Sequence, residues 1–360
     1  MAISRGDDYP LHQTPEPVAF AGTDRNFYDR YFFNGYGPDG EDFFAVAFGV
    51  YPHLDVADAH FCVVRDGTQH CVHASRKLGM ERMDLSCGPI RIEVVEALHK
   101  LRVVVEGEGL AADLTFTGRA FPIEEPRFTW RLGPRTVMDY TRMTQNGHYQ
   151  GWIEIDGQRR DVVAGTSGTR DRSWGVRPVG AADPQLSGGS AVPQFFWQWT
   201  PVNLPDRSLF FHLNAHADGT AWNTRAVIAP DGNGPEAFTD VHDAAMVAPL
   251  EAGTRWPGGG AVLTIGDEQF AFEPIGRFQM RGLGYTSPRW NHGLDHGTLE
   301  VEREDIELNS VDPLRPDNLH VQMVCRVTGP DGQQGIGVFE QLAIGEYTPL
   351  NLSGLSDPAP

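Results

Sequence analysis

The nine residues that begin at Arg170 combine three arginines, an aspartate and a tryptophan. A solvated run of charges would not need the tryptophan, and a buried strand would tolerate the charges only if they were paired. If the segment is extended, Arg170, Arg172 and Trp174 share one face of the strand. Asp171 and Ser173 then lie on the opposite face. In an apolar pocket the pKa of Asp171 would rise and make it a proton donor, whereas beside an arginine of another strand it would stay ionised and structural.

A second dense segment, residues 281–297, places ionisable and aromatic side chains on a stretch that is interrupted by glycine and proline. Among them are Tyr285, Trp290 and His292. Aromatic side chains with polar tips on an irregular loop are typical of a binding site. The alternative interpretation is a plain connection between strands that contains a hydrogen-bonded histidine.

The apolar segment 210–216 carries His212 and His216 on one face of a predicted strand. Four strand residues span roughly 13 Å, whereas zinc–nitrogen bonds are about 2 Å long. Because the two histidines cannot reach one ion, we predict no metal site. In the segment 194–199, Trp197 and Trp199 project to one side, where they form either core or the wall of a pocket for a large apolar ligand.

The composition excludes several classes of partner and cofactor. The 360 residues include 29 basic and 48 acidic side chains, a formal charge of −19 that repels phosphate backbones and anionic lipids. No dinucleotide fingerprint, phosphate-binding loop or nucleophile elbow occurs, so we predict no cofactor. Four cysteines without CxxC spacing and an N-terminus without an apolar segment predict a cytoplasmic protein. The negative charge predicts no nucleic-acid partner, and the absence of a run of about 18 apolar residues predicts no membrane insertion. Assembly into a homo-oligomer stays open.

The elements that must position these residues are strands. Segments such as 91–96, 101–106 and 112–117 alternate apolar and polar residues, and six Asp-Gly pairs provide hairpin turns in both halves. Only residues 238–250 suggest a short helix. We therefore predict an all-β chain with two antiparallel barrel or sandwich domains in tandem, residues 19–180 and 190–350, separated by a Gly/Pro/Ser-rich stretch.

Two segments resemble a known family. Residues 148–157 and 165–178, with the pattern Gly-x-Arg-Asp-x-Ser-Trp-Gly, are similar to the hydroxyneurosporene synthase-like group, which includes carotenoid 1,2-hydratases and related tandem lipocalin-like proteins. Further landmarks are residues 48–53 and 282–293, and the resemblance covers residues 20–345. It implies two lipocalin-like domains with a ligand cavity in or between them, and chemistry on large apolar substrates without a redox cofactor. The chain departs from the pattern at Arg172, where many members carry histidine.

These observations together predict a cofactor-independent lyase-type enzyme: a hydratase or dehydratase, an eliminative C–C lyase, or a cyclase. Its substrate would be a bulky apolar or aromatic small molecule. Asp171 or His292 would transfer a proton, while Arg170 and Tyr285 would orient the substrate or stabilise developing charge. The predicted substrate-binding residues are Trp174, Trp290, Trp197, Trp199, Tyr149, Arg172 and His212.

Two alternatives remain from the sequence. A lipocalin-like carrier of hydrophobic ligands would explain the aromatic residues equally well, and it would bind tightly without forming product. In the other alternative, the segment that begins at Arg170 only fastens the two halves of the chain together, because Arg–Asp pairs commonly pin interfaces.

Overall fold

The computed structural model describes residues 5–9, 23–182, 194–355 and 357–359. In these residues the chain is all β, as predicted: 23 strands form two antiparallel sheets, and the helices are eight short 3-10 turns. They contain no helix that is long and apolar enough to cross a membrane. The 3-10 turns are Arg5–Asp8, Pro52–Leu54, Pro235–Ala237, Met280–Leu283, Leu308–Ser310, Pro316–Asn318, Pro330–Gly332 and Thr348–Leu350.

The strands follow each other in chain order with short connections. The first half of the chain provides β1 (Phe27–Tyr36), β2 (Phe43–Tyr51), β3 (Val56–Arg65), β4 (Thr68–Lys77), β5 (Ser86–Cys87), β6 (Ile90–Glu96), β7 (Lys100–Gly107), β8 (Leu110–Gly118), β9 (Ile123–Glu124), β10 (Phe128–Leu132), β11 (Arg135–Ile155), β12 (Gln158–Asp161) and β13 (Ser167–Val176). The second half provides β14 (Phe195–Asn203), β15 (Arg207–Ala215), β16 (Ala221–Pro230), β17 (Thr239–Asp240), β18 (Ala244–Val247), β19 (Ala261–Ile265), β20 (Glu268–Gln279), β21 (Leu299–Glu307), β22 (Val321–Thr328) and β23 (Gln334–Ile344). The helix predicted at residues 238–250 is wrong, because β17 and β18 occupy that segment.

The two sheets curl into half-barrels, which gives two lipocalin-like β domains in tandem. The N-terminal sheet has the order β21-β4-β3-β2-β1-β13-β11-β8-β7-β6-β5, with β9, β10 and β12 also paired to β11. The C-terminal sheet has the order β17-β16-β15-β14-β23-β22-β20-β19-β18. Consecutive strands are neighbours at most positions, which is typical of meanders that are joined by tight turns.

One strand of the second half joins the sheet of the first half. Strand β21 pairs antiparallel with β4, from Leu299 opposite Arg76 to Glu307 opposite Thr68. Its pairing satisfies backbone groups that β4 would otherwise expose at a sheet edge. The remaining strands divide between the sheets on either side of residues 177–194, and the predicted domain limits of 19–180 and 190–350 stay a prediction.

The central strands β1, β2 and β3 of the N-terminal sheet are buried on both faces apart from two half-buried residues, and β2 is accordingly a long apolar run. All nine residues of β2 are buried. Phe44, Val46 and Phe48 point into the half-barrel and form what we call the N-terminal core. Their neighbours Phe43 and Ala45 point to the other side, where they pack with residues of the C-terminal sheet. We call this shared layer between the two sheets the interface layer. A separate C-terminal core fills the second half-barrel.

A row of four glycines crosses the centre of the N-terminal sheet. Gly35, Gly168, Gly147 and Gly118 lie opposite one another on β1, β13, β11 and β8. A Cβ atom added at Gly35 would lie 2.2 Å from the ring of Phe44. The missing side chains therefore provide space for aromatic rings of the N-terminal core.

Gly168→Ala is expected to lower the free energy of unfolding by about 1–3 kcal/mol, the usual range for overpacking a tight site. The added Cβ would lie 2.0 Å from the carbonyl oxygen of Asn34, and backbone of a central strand cannot move aside cheaply. Urea denaturation measures the effect. Gly259→Ala is the control, because no atom lies within 4 Å of its Cβ position. Equal midpoints for the two variants would contradict the close packing of the glycine row.

Candidate functional site

The interface layer contains a cluster of polar and aromatic side chains that we call the interface site. Strands β1, β13 and β11 lie side by side, and Arg30, Ser173 and Arg142 stand opposite one another on them. Asp171 lies two residues before Ser173 on β13, on the same face. This face meets the C-terminal sheet, since Arg142 lies 4.9 Å from the ring centre of Trp197 on β14.

Asp171 is a half-buried carboxyl group of this site. Within the described part of the chain, its carboxylate forms neither a hydrogen bond nor an ion pair. Burial raises the pKa of Asp171 to about 6, because removal from water penalises the charged form. Arg142, Arg30 and Arg177 oppose this rise through their positive charges, and Glu125 adds to it.

Glu125 is the second carboxylate of the site, and its environment is the opposite of that of Asp171. It accepts a hydrogen bond from Arg142 Nε at 2.7 Å and one from the indole nitrogen of Trp199 at 3.2 Å. Burial would raise the pKa of Glu125, but Arg142 and then His212 outweigh it and hold the pKa below its ordinary value. Glu125 is therefore ionised and saturated with donors, which suits a structural anion rather than a proton donor.

His212 belongs to the same network. Its Nδ1 accepts a hydrogen bond from the indole nitrogen of Trp197 at 3.1 Å. Burial lowers the pKa of His212 to about 4, although Glu125 pulls in the other direction. At neutral pH His212 is therefore an uncharged acceptor that fixes the orientation of the Trp197 indole ring.

A histidine–glutamate pair from the C-terminal sheet completes the site. His320 Nε2 and Glu340 form a short hydrogen bond, and both side chains are buried. Gln322 donates to the other oxygen of Glu340 at 2.7 Å. The ring of His320 lies 4.9 Å from that of Tyr285 and 6.1 Å from that of Trp197. Sequence reasoning missed this pair, although a glutamate inside the apolar run 336–344 is itself a signal of a buried polar network.

His292 and Tyr285 reach the site from the segment that connects β20 to β21. His292 Nε2 donates to the carbonyl oxygen of Leu283 at 2.7 Å. Its Nδ1 lies 3.0 Å from Arg177 Nη2 and 3.3 Å from Arg30 Nη1, so it accepts from both guanidiniums. Burial, and then the two arginines, lower the pKa of His292 well below its ordinary value. The imidazole is therefore neutral, with both nitrogens engaged.

The structure places a second group of predicted site residues in another compartment. Arg170 and Arg172 lie on the opposite face of β13 from Asp171, where they pair with Asp8 and Asp29. Tyr149 packs in the N-terminal core against Phe44 and Phe116 and donates to the carbonyl oxygen of Thr169. By strand register, Trp174 shares the Arg172 face. The roles assigned to Arg170, Arg172, Trp174 and Tyr149 from the sequence stay predictions, and these residues do not join the interface site.

Trp290 lies at the border of the interface site. Its ring stacks on His73 with the ring centres 5.2 Å apart, and its indole nitrogen donates to Glu302 at 2.8 Å. His73 in turn contacts His60 through the two Nδ1 atoms at 2.9 Å. In the part of the chain that the structure describes, no group of three or more His, Cys, Asp or Glu is arranged to hold a metal ion.

Removing the partner of Arg170 is expected to destabilise the fold. Asp8 and Arg170 are both fully buried, so Asp8→Ala leaves a guanidinium buried without its carboxylate, at a cost of about 3–5 kcal/mol. Urea denaturation measures this loss. The double variant Asp8→Leu with Arg170→Met is expected to lose less, because it removes both charges. A loss below about 1 kcal/mol for Asp8→Ala would contradict the buried pair.

The shifted pKa of Asp171 predicts a pH-dependent effect on stability. Its folded-state pKa of about 6 lies above the ordinary value of 3.8, so unfolding releases a proton between these values. The contribution of Asp171 to stability therefore falls as the pH rises through about 6. Asp171→Asn removes this penalty, and its melting temperature relative to the native chain is expected to be a few degrees higher at pH 8 than at pH 4. A constant difference, or the same trend in the exposed control Asp161→Asn, would disprove the shift.

Comparisons with solved structures agree with the tandem architecture. A protein from Nitrosomonas europaea, provisionally described as AttH, has a TM-score of 0.53 at 14% identity over 92% of this chain and 96% of its own. CghA has a TM-score of 0.50 at 14% identity over 93% and 94%. Kievitone hydratase from Nectria haematococca has a TM-score of 0.46 at 12% identity over 87% and 88%. At these identities the likeness concerns the fold alone.

Comparisons of the sequence identify a family but no function. No curated protein matches the chain. A model of a protein family of unknown function, DUF8625, matches residues 3–353. The match is thus to a family other than the hydroxyneurosporene synthase-like group, and the resemblance to that group is supported only at the level of tandem lipocalin-like architecture.

Proposed function

The chain belongs to DUF8625, a family of unknown function, and we propose that it is a cofactor-independent enzyme of the lyase class. Its substrate is a bulky, largely apolar or aromatic small molecule that binds between the two sheets at the interface site. The observation that carries this proposal is Asp171, a half-buried carboxyl group without a bonding partner in the described residues and with a pKa of about 6.

Asp171 is suited to transfer a proton at physiological pH. A general acid or base works best when its pKa lies near the operating pH, and a carboxyl group with a pKa of about 6 can both hold and release a proton there. A purely structural aspartate would be paired, as Glu125 is with Arg142 in the same layer. The missing partner of Asp171 supports a role toward a ligand.

The pair of His320 and Glu340 supplies a complementary group. When Glu340 accepts the Nε2 proton of His320, the imidazole presents Nδ1 as its basic nitrogen. Glu340 is itself held by Gln322, so the ring has little freedom to turn. His320 directly precedes β22 of the C-terminal sheet, and its ring neighbours Trp197 and Tyr285. Asp171 lies on β13 of the N-terminal sheet, where Arg142 and Arg30, which contact the same two rings, act on its charge. This arrangement supports an acid and a base on two sides of one layer.

Two groups of this kind can catalyse the elimination or addition of water. In the elimination, Asp171 protonates a hydroxyl oxygen while His320 removes a proton from the neighbouring carbon. The C–O and C–H bonds break, a C=C bond forms, and water leaves with the proton from Asp171. The electron pair of the C–H bond becomes the new π bond, so no oxidant or reductant is consumed. Addition is the reverse, and a cyclisation uses the same two proton transfers.

The surroundings of these groups suit a bulky ligand. The rings of Trp197 and Tyr285 are half-buried in a layer whose other residues are mostly buried, which makes them candidate walls of the site. A groove of about 710 Å³ is lined by residues 121–127, which include Glu125, and by Phe238 and Arg225. This volume lies within the range of small-molecule pockets.

A paired set of variants tests the proposal. The purified chain is incubated with a panel of isoprenoid and polycyclic aromatic alkenes and alcohols, and mass spectrometry follows the gain or loss of one water and the formation of isomers. Asp171→Asn and His320→Gln are each expected to lower turnover by at least about 100-fold, the usual contribution of a proton-transfer group. The controls are Asp161→Asn and His242→Gln, which change the same residue types at exposed positions.

Three outcomes would contradict the proposal. Unchanged turnover in folded Asp171→Asn would remove this residue from the chemistry. Equal losses in the exposed controls would show that the effect is not local. Ligands recovered unchanged after tight binding would identify the carrier instead of the enzyme.

A further inference from the structure

We infer that Arg30 and Arg177 form a binding site for a negatively charged or strongly polarised oxygen of the ligand, such as a carboxylate, an enolate or a phenolate. The inference rests on the proposed function only in placing the ligand at the interface site. It adds the chemical class of the substrate, which is an amphipathic molecule with an apolar body and one acidic or carbonyl oxygen.

The two guanidiniums converge on one atom. Arg177 Nη2 and Arg30 Nη1 lie 3.0 and 3.3 Å from Nδ1 of His292. Because the other nitrogen of His292 is committed to the carbonyl oxygen of Leu283, the imidazole is a neutral acceptor. It orients two cations toward each other without neutralising either of them. We therefore treat His292 as a positioning residue.

Arg30 differs from the other five buried arginines in the described residues. Each of those five guanidiniums has a carboxylate at ion-pair distance, and Arg30 has none there. The five pairs are Arg65–Asp42, Arg142–Glu125, Arg170–Asp8, Arg172–Asp29 and Arg255–Asp357. A buried cation without its counterion is costly, so a chain that pairs the other five consistently leaves room at Arg30 for an anion from outside.

Arg30 also has free donors. It is only 1% exposed, yet its Nε and Nη2 find no hydrogen-bond partner among the residues that the structure describes. The nearby carboxylate of Asp58 is already used, since it accepts from the backbone nitrogen of Gly293 at 2.7 Å and from the hydroxyl of Tyr51 at 3.0 Å. A guanidinium with two open N–H groups is the geometry that binds a carboxylate in a forked manner.

Tyr285 explains why the ligand has an apolar body beside its oxygen. The guanidinium of Arg30 lies 4.5 Å from the ring centre of Tyr285, and that of Arg177 lies 5.8 Å from it. The ring is half-buried. A ligand whose oxygen meets the arginines would therefore bring its apolar part against Tyr285 and Trp197.

Because the chain is strongly acidic, its overall charge cannot produce a preference for an anionic ligand. At −19 the protein repels anions in general. A preference for an anionic ligand over its uncharged analogue must therefore come from a local concentration of positive charge. The pair of Arg30 and Arg177 is such a concentration inside the interface site.

Two fluorescent probes of similar aromatic shape test the inference. One is 8-anilinonaphthalene-1-sulfonate, an anion, and the other is N-phenyl-1-naphthylamine, which lacks the sulfonate. The native chain is expected to bind the sulfonate at least about tenfold more tightly, the effect of one charge-assisted hydrogen bond. Arg30→Met is expected to abolish this preference while leaving the affinity for the amine within about twofold.

Control variants separate this inference from the catalytic proposal. Arg91→Met changes a partly exposed, ion-paired guanidinium and is expected to keep the preference for the sulfonate. Asp171→Asn is expected to keep or increase this preference, whatever happens to turnover, because it removes a negative charge near the two arginines. Lost turnover in Asp171→Asn with an intact preference for the sulfonate would thus concern the catalytic proposal alone. Intact turnover in a native chain that shows no preference for the sulfonate would overturn only the anion site.

The inference remains testable if Arg30→Met does not fold. Arg30→Lys keeps the charge but not the fork, and it is expected to reduce the preference for the sulfonate by at least about threefold. In the native chain, added salt is expected to weaken binding of the sulfonate more than binding of the amine. Equal affinities of the native chain for both probes, or an equal loss of both in the Arg30 variants, would overturn the assignment.

Discussion

The burial of charge between two sheets is the constraint on which the rest of this structure depends. An ordinary half-barrel has one solvated face, but here the outer face of the N-terminal sheet packs against the C-terminal sheet. Every ionisable group in that layer must therefore be compensated inside the protein. Arg142 meets this requirement through Glu125, and His320 through Glu340. Asp171 and Arg30 lack such direct partners in the described residues, and both belong to the interface site.

The alternation of side chains along β13 assigns neighbouring residues to different tasks. Arg170 and Arg172 enter the N-terminal core, where they bind Asp8 and Asp29 and so tie the segment 5–9 to the half-barrel. Asp171, between them in sequence, enters the interface layer instead. Both arginine pairs lie within the first half of the chain, so they do not fasten its two halves together as the alternative from the sequence had it. A shift of register by one residue would exchange the two sets of side chains.

Much of the fold could be predicted from local sequence, whereas the site could be predicted only in part. Alternating strands and Asp-Gly turns predicted two antiparallel β units, since both signals act between near neighbours. The pairing of β21 with β4 escaped prediction because it joins segments more than 200 residues apart. The helix at 238–250 was wrong because a short apolar run does not distinguish a strand from a helix.

The site also could be predicted only as far as local sequence signals reach. Asp171, Tyr285 and His292 are recognisable as unusual residue types on strands or loops. Arg30 gives no such signal, because nothing in its own segment reveals that no carboxylate faces it across the interface layer. The unpaired Arg30 and the raised pKa of Asp171 are linked electrostatically, because Arg30 and Arg177 both lower the pKa of Asp171. A ligand anion between these arginines would cancel their effect and add a negative charge, so the pKa of Asp171 would rise further. In that arrangement, binding of the substrate itself increases the fraction of Asp171 that carries a proton, so the general acid is more fully protonated when its substrate is bound.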